Sequence, residues 1–261
     1  MIKIIFFQPH PDDLDFNCGH LLHYLATRSK KDYLIKIASI TKGEFGLPGF
    51  KFDKFKGDLL ARIRTKELYN ALKVHGINPE DVSFFNFIDG FVKFNKELIL
   101  KIRAYLIEEK PDIIIAPEAI YTWYQHKDHT NVGKAIFYII YHKLINFTPK
   151  LYFYSSLNSN FYFGFAKKDF ELINELLHCH KTQYWLINRM KLIYKFSTRR
   201  AGLKLKGWKY AERYRKIYLT EKELKKNEPS ILIKILTHWY SSMPWYRAKY
   251  PKNILEELKT R

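Results

Sequence analysis

Short, continuous apolar runs alternate along the chain with longer stretches whose apolar residues recur at helical spacing. Residues 2–7 read as a first strand, and residues 19–31, with Leu21, Leu22, Leu25 and Ala26 on one face, as a helix. Residues 34–40 and 82–86 read as strands on either side of a helix over Asp58–His75, which a carboxylate opens. A helix over 94–109 stops at Lys110-Pro111-Asp112, because the residue before proline is pushed out of helical conformation. The run at 113–116 is short and apolar throughout, as a strand covered on both faces must be. A helix at 128–145, a strand at 151–154 and a largely helical stretch at 169–193 follow. This alternation predicts an α/β fold, a Rossmann-like, largely parallel sheet flanked by helices. Further on, 231–240 reads as a helix, followed by the aromatic turn Met243-Pro244-Trp245-Tyr246 and a short helix at 254–259.

Composition changes this picture in one place. With 47% apolar residues in 261, the chain can bury a substantial core, which excludes disorder as its default. The formal charge is +19, and residues 181–226 carry 15 Lys and Arg against three acids, so +12 of it lies there. The sequence is therefore divided into an α/β core, 1–180, and a basic, aromatic-rich and helical C-terminal portion, 181–261, packed on it. Tyr184, Trp185, Tyr194, Phe196, Trp208 and Tyr210 are interleaved with the cations. Such a stretch suits an anionic substrate, an anionic membrane surface or nucleic acid, or it is a solvated face that keeps the protein soluble. Cys18 and Cys179 form no framework or C-x-x-C pattern, which fits a reducing, cytoplasmic setting. The apolar start at 2–7 is cut short by Pro9, His10, Asp12 and Asp13, well before the length of a signal or membrane-spanning segment.

Two constellations carry chemistry. Pro9-His10-Pro11-Asp12-Asp13 lies just beyond the first strand, where open α/β sheets place ligands, and imidazole and carboxylate are both zinc donors. Alone, it reads equally as a polar turn that caps the next helix. Tyr124-Gln125-His126-Lys127-Asp128-His129 follows the buried strand and opens a helix, so that His126 and His129, three apart, can share a face. Taken together, the loops offer His10, Asp13 and His129 as three ligands with a fourth position open, the requirement of hydrolytic zinc.

With these motifs the chain resembles the LmbE or PIG-L superfamily of metal-dependent N-deacetylases. Thr41-Lys42-Gly43-Glu44 is similar to the family's T-x-G-E loop, Arg64-Thr65-Lys66-Glu67 to its R-x-x-E helix, and Asp89-Gly90 to its loop carboxylate. His180-Lys181-Thr182-Gln183 and Ala211-Glu212-Arg213-Tyr214-Arg215 are similar to its H-x-S-Q and A-E-x-F-R segments. The chain departs from the family at Leu14, where a glutamate is usual and Asp15 comes next, and at Lys127, where proline is common. The resemblance implies one divalent metal, zinc, held by His10, Asp13 and His129, with Asp12 as base. It implies a protonated His126, oriented by Asp128, beside the developing oxyanion. Tyr124 is implied either as a second oxyanion donor or acid, or as an aromatic wall. Arg64, Asp89 and Glu44 are candidates to bind sugar hydroxyls, with Arg64 paired to Glu67 or Glu44 as the competing reading.

The activity implied is removal of the N-acetyl group from an N-acetylglucosamine-type glycoconjugate, phosphate- or lipid-linked given the basic stretch. Peripheral contact of residues 181–226 with an anionic membrane and homo-oligomerisation are further expectations. A nucleic-acid-binding protein would explain the charge but leave two metal motifs idle. A hydrolase of another amide or an ester would share the ligand set, which fixes the reaction type and not the substrate.

Overall fold

The computed structural model describes residues 1–28, 32–47 and 50–242. The strands are β1 Ile2–Gln8, β2 Tyr33–Ser39, β3 Val82–Phe84, β4 Ile113–Pro117, β5 Lys150–Tyr154, β6 Phe161–Phe165 and β7 Tyr210–Lys216. The helices are α1 Asp13–Asn17, α2 Gly19–Arg28, α3 Asp58–His75, α4 Lys96–Glu109, α5 Lys127–Tyr141, α6 Phe170–Cys179, α7 Tyr184–Gly202 and α8 Ile231–Ser242. One seven-stranded sheet runs in the order β3-β2-β1-β4-β5-β7-β6; the first five strands are parallel, and β7 is antiparallel to both its neighbours. The aromatic turn and the helix expected at 254–259 lie outside the described residues.

Strand pleating decides which residues build each layer. On one face Ile5 and Phe7 of β1 pack with Leu98, Ile102 and Leu106 of α4 and with Val132, Ile136 and Ile139 of α5. On the other, Ile4 and Phe6 meet Leu14 of α1, Leu22 of α2 and Leu68 and Leu72 of α3. A third cluster joins Phe165 and Tyr210 to Ile173, Leu176 and Leu177 of α6 and to Tyr194 of α7. Because β1 pairs with both β2 and β4, its chain continues into helices on one face while β4 leads to α5 on the other. A crevice forms where the two exits diverge.

The expected sheet is present, with three differences. The helix expected at 169–193 is broken at His180 into α6 and α7. There the Thr182 N–H and hydroxyl donate to Glu67 at 2.8 and 2.7 Å, and His180 Nε2 lies 2.6 Å from Asp15, so tertiary polar bonds replace the helical ladder. Strands β6 and β7 were not expected. Moreover, β7 lies within the sheet between β5 and β6, so residues beyond 180 share the sheet of the core and are not helical alone.

Where α5 crosses the end of β4, Gly133 permits close approach: a Cβ there would lie 2.4 Å from the Pro117 carbonyl oxygen and 2.9 Å from Ala119 backbone. Backbone cannot yield as a side chain does, so Gly133→Ala must shift α5 and the loop that carries the second motif. We expect it to destabilise the fold by about 1–3 kcal/mol in urea unfolding. An unchanged midpoint would contradict this packing.

Candidate active site

His10, Asp12 and Asp13 leave the carboxyl end of β1, and His126, Asp128 and His129 occupy the start of α5 after β4. The loops after β2 and β3 add Glu44 and Asp89, so residues from four parallel strands meet in the crevice. His10, Asp12, Asp13, Asp89, Asp128 and His129 are all buried. Burying so many ionisable groups is tolerable only if they answer one another.

His10 Nδ1 lies 3.3 Å from an Asp13 carboxylate oxygen, while His129 Nε2 is 3.2 Å from the other and 3.3 Å from His10 Nδ1. The Asp13 carboxylate also accepts the His10 main-chain N–H at 2.7 Å. On its far side the His10 ring meets Asp89 at 3.0 Å and Asp128 at 3.2 Å through Nε2. Two carboxylates at Nε2 fix a proton there and turn Nδ1 towards Asp13 and His129, the arrangement that carboxylates behind a metal-binding histidine impose. Two imidazole nitrogens facing each other at 3.3 Å require a proton or a shared cation between them. His10, Asp13 and His129 thus form a convergent donor set, their atoms within 4.8 Å of one another, and these donors fit zinc or a similar divalent metal. The charge balance agrees. Burial opposes a charged His10, but Asp89 and Asp13 outweigh it and hold the ring well above its ordinary pKa. Burial is likewise overcome at Asp13, whose carboxyl His129 and His10 hold below the usual range.

Around this core the structure assigns partners that the sequence does not reveal. Arg64 donates from Nη2 to Asp12 Oδ1 at 2.5 Å and from Nη1 to the Gly43 carbonyl at 3.1 Å. Its guanidinium fills the space where Cβ atoms on Gly43 or Gly46 would sit, which is why that loop carries glycine at both positions. Arg64 therefore pairs with neither Glu67 nor Glu44, and it is buried beneath the site. Asp89 holds His10 and accepts the Phe45 N–H at 3.0 Å, while Glu44 accepts the Asp89 N–H at 3.1 Å. Burial and Asp89 together raise the pKa of Glu44.

The Asp128 carboxylate accepts from the Gly90 and Val92 amides at 2.6 and 3.2 Å besides meeting His10. The expected orienting of His126 by Asp128 comes instead from its main chain, whose N–H donates to His126 Nδ1 at 3.3 Å. That bond leaves the His126 proton on Nε2. Burial and neighbouring His10 push the His126 pKa down to about 4, which favours the neutral ring over the protonated one expected. Tyr124 stacks on His126 and meets His129 edge-on, with ring centroids 5.8 and 4.9 Å apart.

Sequence reading missed a second buried group behind the metal loop. Asp15 receives His75 Nε2 at 2.8 Å and His180 Nε2 at 2.6 Å. The signals were present in Asp15, standing one place beyond the family's usual glutamate, and in His180 of the H-x-S-Q-like segment; His75 had none. A third buried pair joins Arg215 to Glu118 through two bonds of 2.8 and 2.5 Å.

Residues 5–140 match the PIG-L family, described as GlcNAc-PI de-N-acetylase. The chain belongs to the PIG-L family. No curated protein matches the sequence. Among solved structures, this PIG-L chain is similar to an N,N'-diacetylchitobiose deacetylase from Pyrococcus horikoshii, with TM-score 0.73 and 19% identity over 82% of this chain and 83% of that one. It is similar also to GalB, a 4-carboxy-2-hydroxymuconate hydratase from Pseudomonas putida KT2440, with TM-score 0.64 and 14% identity over 84% and 97%. A third is the zinc-inhibited form of teicoplanin deacetylase Orf2, with TM-score 0.60 and 13% identity over 81% and 96%. At such identities the likeness establishes the fold, and the presence of a hydratase among these structures shows that the fold alone does not set the reaction.

The Asp15 group has a measurable consequence. Burial opposes ionisation, but the bonds from His180 and His75 hold the Asp15 carboxyl well below its ordinary 3.8. Its contribution to stability is present above 3.8 and is lost as the pH falls towards the depressed folded value. Asp15→Asn leaves two buried imidazoles without their carboxylate and should destabilise by about 3–5 kcal/mol at pH 6. The variant should also lose less stability than wild type between pH 4 and pH 3 in urea titrations. Parallel pH profiles would contradict this role.

Proposed function

We propose that this PIG-L protein is a metal-dependent hydrolase that removes the N-acetyl group from an N-acetylglucosamine-type glycoconjugate, releasing acetate and a free amino sugar. The observation that carries the reading is the convergence of His10 Nδ1, Asp13 and His129 Nε2 directly beside Asp12 in a member of this family. His10, Asp13 and His129 would hold the metal, with zinc as the preferred ion for two imidazoles and a carboxylate. When bound, such an ion acidifies water and stabilises negative charge on a carbonyl oxygen.

The chain's own groups then have distinct work. Arg64 engages Oδ1 of Asp12, and among the described residues Oδ2 accepts no hydrogen bond, so it is the atom left to take a proton from water. Arg64 at once fixes the rotamer of that carboxylate. The neutral His126, its Nδ1 occupied by the Asp128 amide, presents Nε2–H to the oxyanion that forms as the acetamide carbon becomes tetrahedral. Asp128 and Asp89 hold the His10 ring. Tyr124 walls the site against His126 and His129, and its hydroxyl would serve as a second donor. Arg64, Asp89 and Glu44 act beneath the site on this reading, not on sugar hydroxyls.

The basic stretch 181–226 supports a phosphate- or lipid-linked conjugate. Peripheral contact with an anionic membrane is supported further by α8, where Ile231, Leu232, Ile235 and Trp239 are exposed. No helix among the described residues is long and apolar enough to cross a membrane.

The test pairs metal content with turnover on a panel of N-acetylglucosamine conjugates. Asp12→Asn should retain the metal and lose most turnover, since an amide keeps the shape but cannot accept the proton. His126→Ala should lower kcat by about 10² to 10³, the worth of one oxyanion donor. Metal loss in Asp12→Asn equal to that in Asp13→Asn would contradict the division between base and ligand.

A further inference from the structure

Strand β6 closes one end of the sheet, three strands away from β4 and the loop that carries His126 and His129. Beyond its ladder with β7, no main-chain group of β6 has a hydrogen bond among the described residues, so one whole edge of the strand is open. Folded proteins rarely leave such an edge unguarded, because it is a template for another strand; they shorten it, or set charge or proline in it. At the opposite end of the sheet, β3 is only three residues long. β6 has five residues, Phe161-Tyr162-Phe163-Gly164-Phe165, with neither charge nor proline.

A hollow of about 720 Å³ runs along this edge. Tyr162, Phe163, Gly164 and Phe165 all line it, and since successive side chains of a strand point to opposite faces, it wraps the edge instead of lying on one face. Tyr24 of α2 stands on one side, its ring 5.3 Å from that of Phe163. On the other side the Trp208 ring occupies the space where a Cβ on Gly164 would sit, and Trp208 is 47% exposed. The walls are aromatic, and between them the main chain lies open. The rim is cationic. Lys167 and Lys168 follow the strand directly, Lys204 and Lys206 bracket Leu205, which reaches the same glycine, and Lys209 follows Trp208. All five are exposed, and among the described residues none has an ion pair. The one acid lining the hollow, Asp169, is engaged by the Ala166 N–H at 2.7 Å.

We propose that β6 receives an extended, acidic segment of a partner protein as an eighth strand of the sheet, its alternate side chains packing against Tyr24 and Trp208 and its carboxylates against the lysine rim. Main-chain hydrogen bonds along the open edge supply affinity, and the two aromatic walls select the side chains. A second copy of this chain, pairing β6 with β6, would set one lysine rim against another, and like charges across a strand pair oppose it. A nucleic acid would answer the lysines and stack on Trp208 but leave the main-chain groups of β6 without partners. None of these residues belongs to the proposed metal site, so the inference is independent of the deacetylase reading.

The probe is a synthetic peptide, Glu-Val-Glu-Phe-Glu-Val-Glu, beside a version N-methylated at every second residue, which keeps the side chains and charge but cannot pair along one edge. Binding to the full chain is followed by fluorescence anisotropy and by amide hydrogen exchange. The unmodified peptide should bind about tenfold more tightly than the methylated one, the worth of one or two main-chain hydrogen bonds, and should slow exchange within residues 161–165. Lys204→Glu with Lys206→Glu should weaken the unmodified peptide by about tenfold at low salt. Should that variant misfold, the two peptides on the wild-type chain decide the matter alone. Equal affinity of the two peptides, no saturable binding up to about 1 mM, or protection only away from β6 would overturn the inference. So would tighter binding of an oligouridylate with β6 exchange unchanged, which would make the face a nucleic-acid surface, or a concentration-dependent dimer that protects β6 without peptide, which would give the edge to a second copy.

Discussion

Arg64 and Asp12 meet in a buried contact at 2.5 Å, and the arrangement of the site follows from it. From a single position on α3 the guanidinium grips the turn after β1 and, through the Gly43 carbonyl, the loop after β2. Without that cation, Asp12 would be a buried carboxylate among Asp13, Asp89 and Asp128, a cost the fold could relieve only by protonating or moving it. With it, Asp12 stays in place with one oxygen spoken for and the other available. The glycines at 43 and 46 are the backbone's accommodation of the same side chain.

The remaining polar groups are arranged in layers behind the donors. Asp89 and Asp128 fix His10; the amides of Phe45, Gly90 and Val92 fix those carboxylates in turn, and Glu44 holds the Asp89 main chain. Asp15, with His75 and His180, anchors α1 from below. Each layer comes from a different loop, so the donor set assembles only when the sheet does. Preorganisation of this kind is what catalysis on a neutral amide demands, because charge develops faster than side chains can rearrange.

Much of this was legible in the sequence. The parallel strands were visible because burial on both faces makes them short, unbroken apolar runs, as in Ile4–Phe7 and Ile113–Ala116. The donor set was visible because its residues cluster in two loops. What escaped notice depended on partners far away in the chain. Strand β7 carries Glu212, Arg213 and Arg215, legible only as a motif inside a basic stretch until His20 and Glu118, roughly a hundred residues or more distant, are seen to bury two of them. The break at His180 is set by Asp15 and Glu67, and Asp89 reads as a sugar contact until His10 is beside it. Local pattern shows where a charge stands; the fold decides what answers it.

The proposed role of His10, Asp13 and His129 as one metal site serving amide hydrolysis is tested most directly by adding zinc to metal-stripped protein and following amine release from an N-acetylglucosamine conjugate. Release should rise with added zinc to a plateau at one ion per chain, and the double variant His10→Ala with His129→Ala should show no rise. Full release without metal, or an unaltered titration in the double variant, would contradict it.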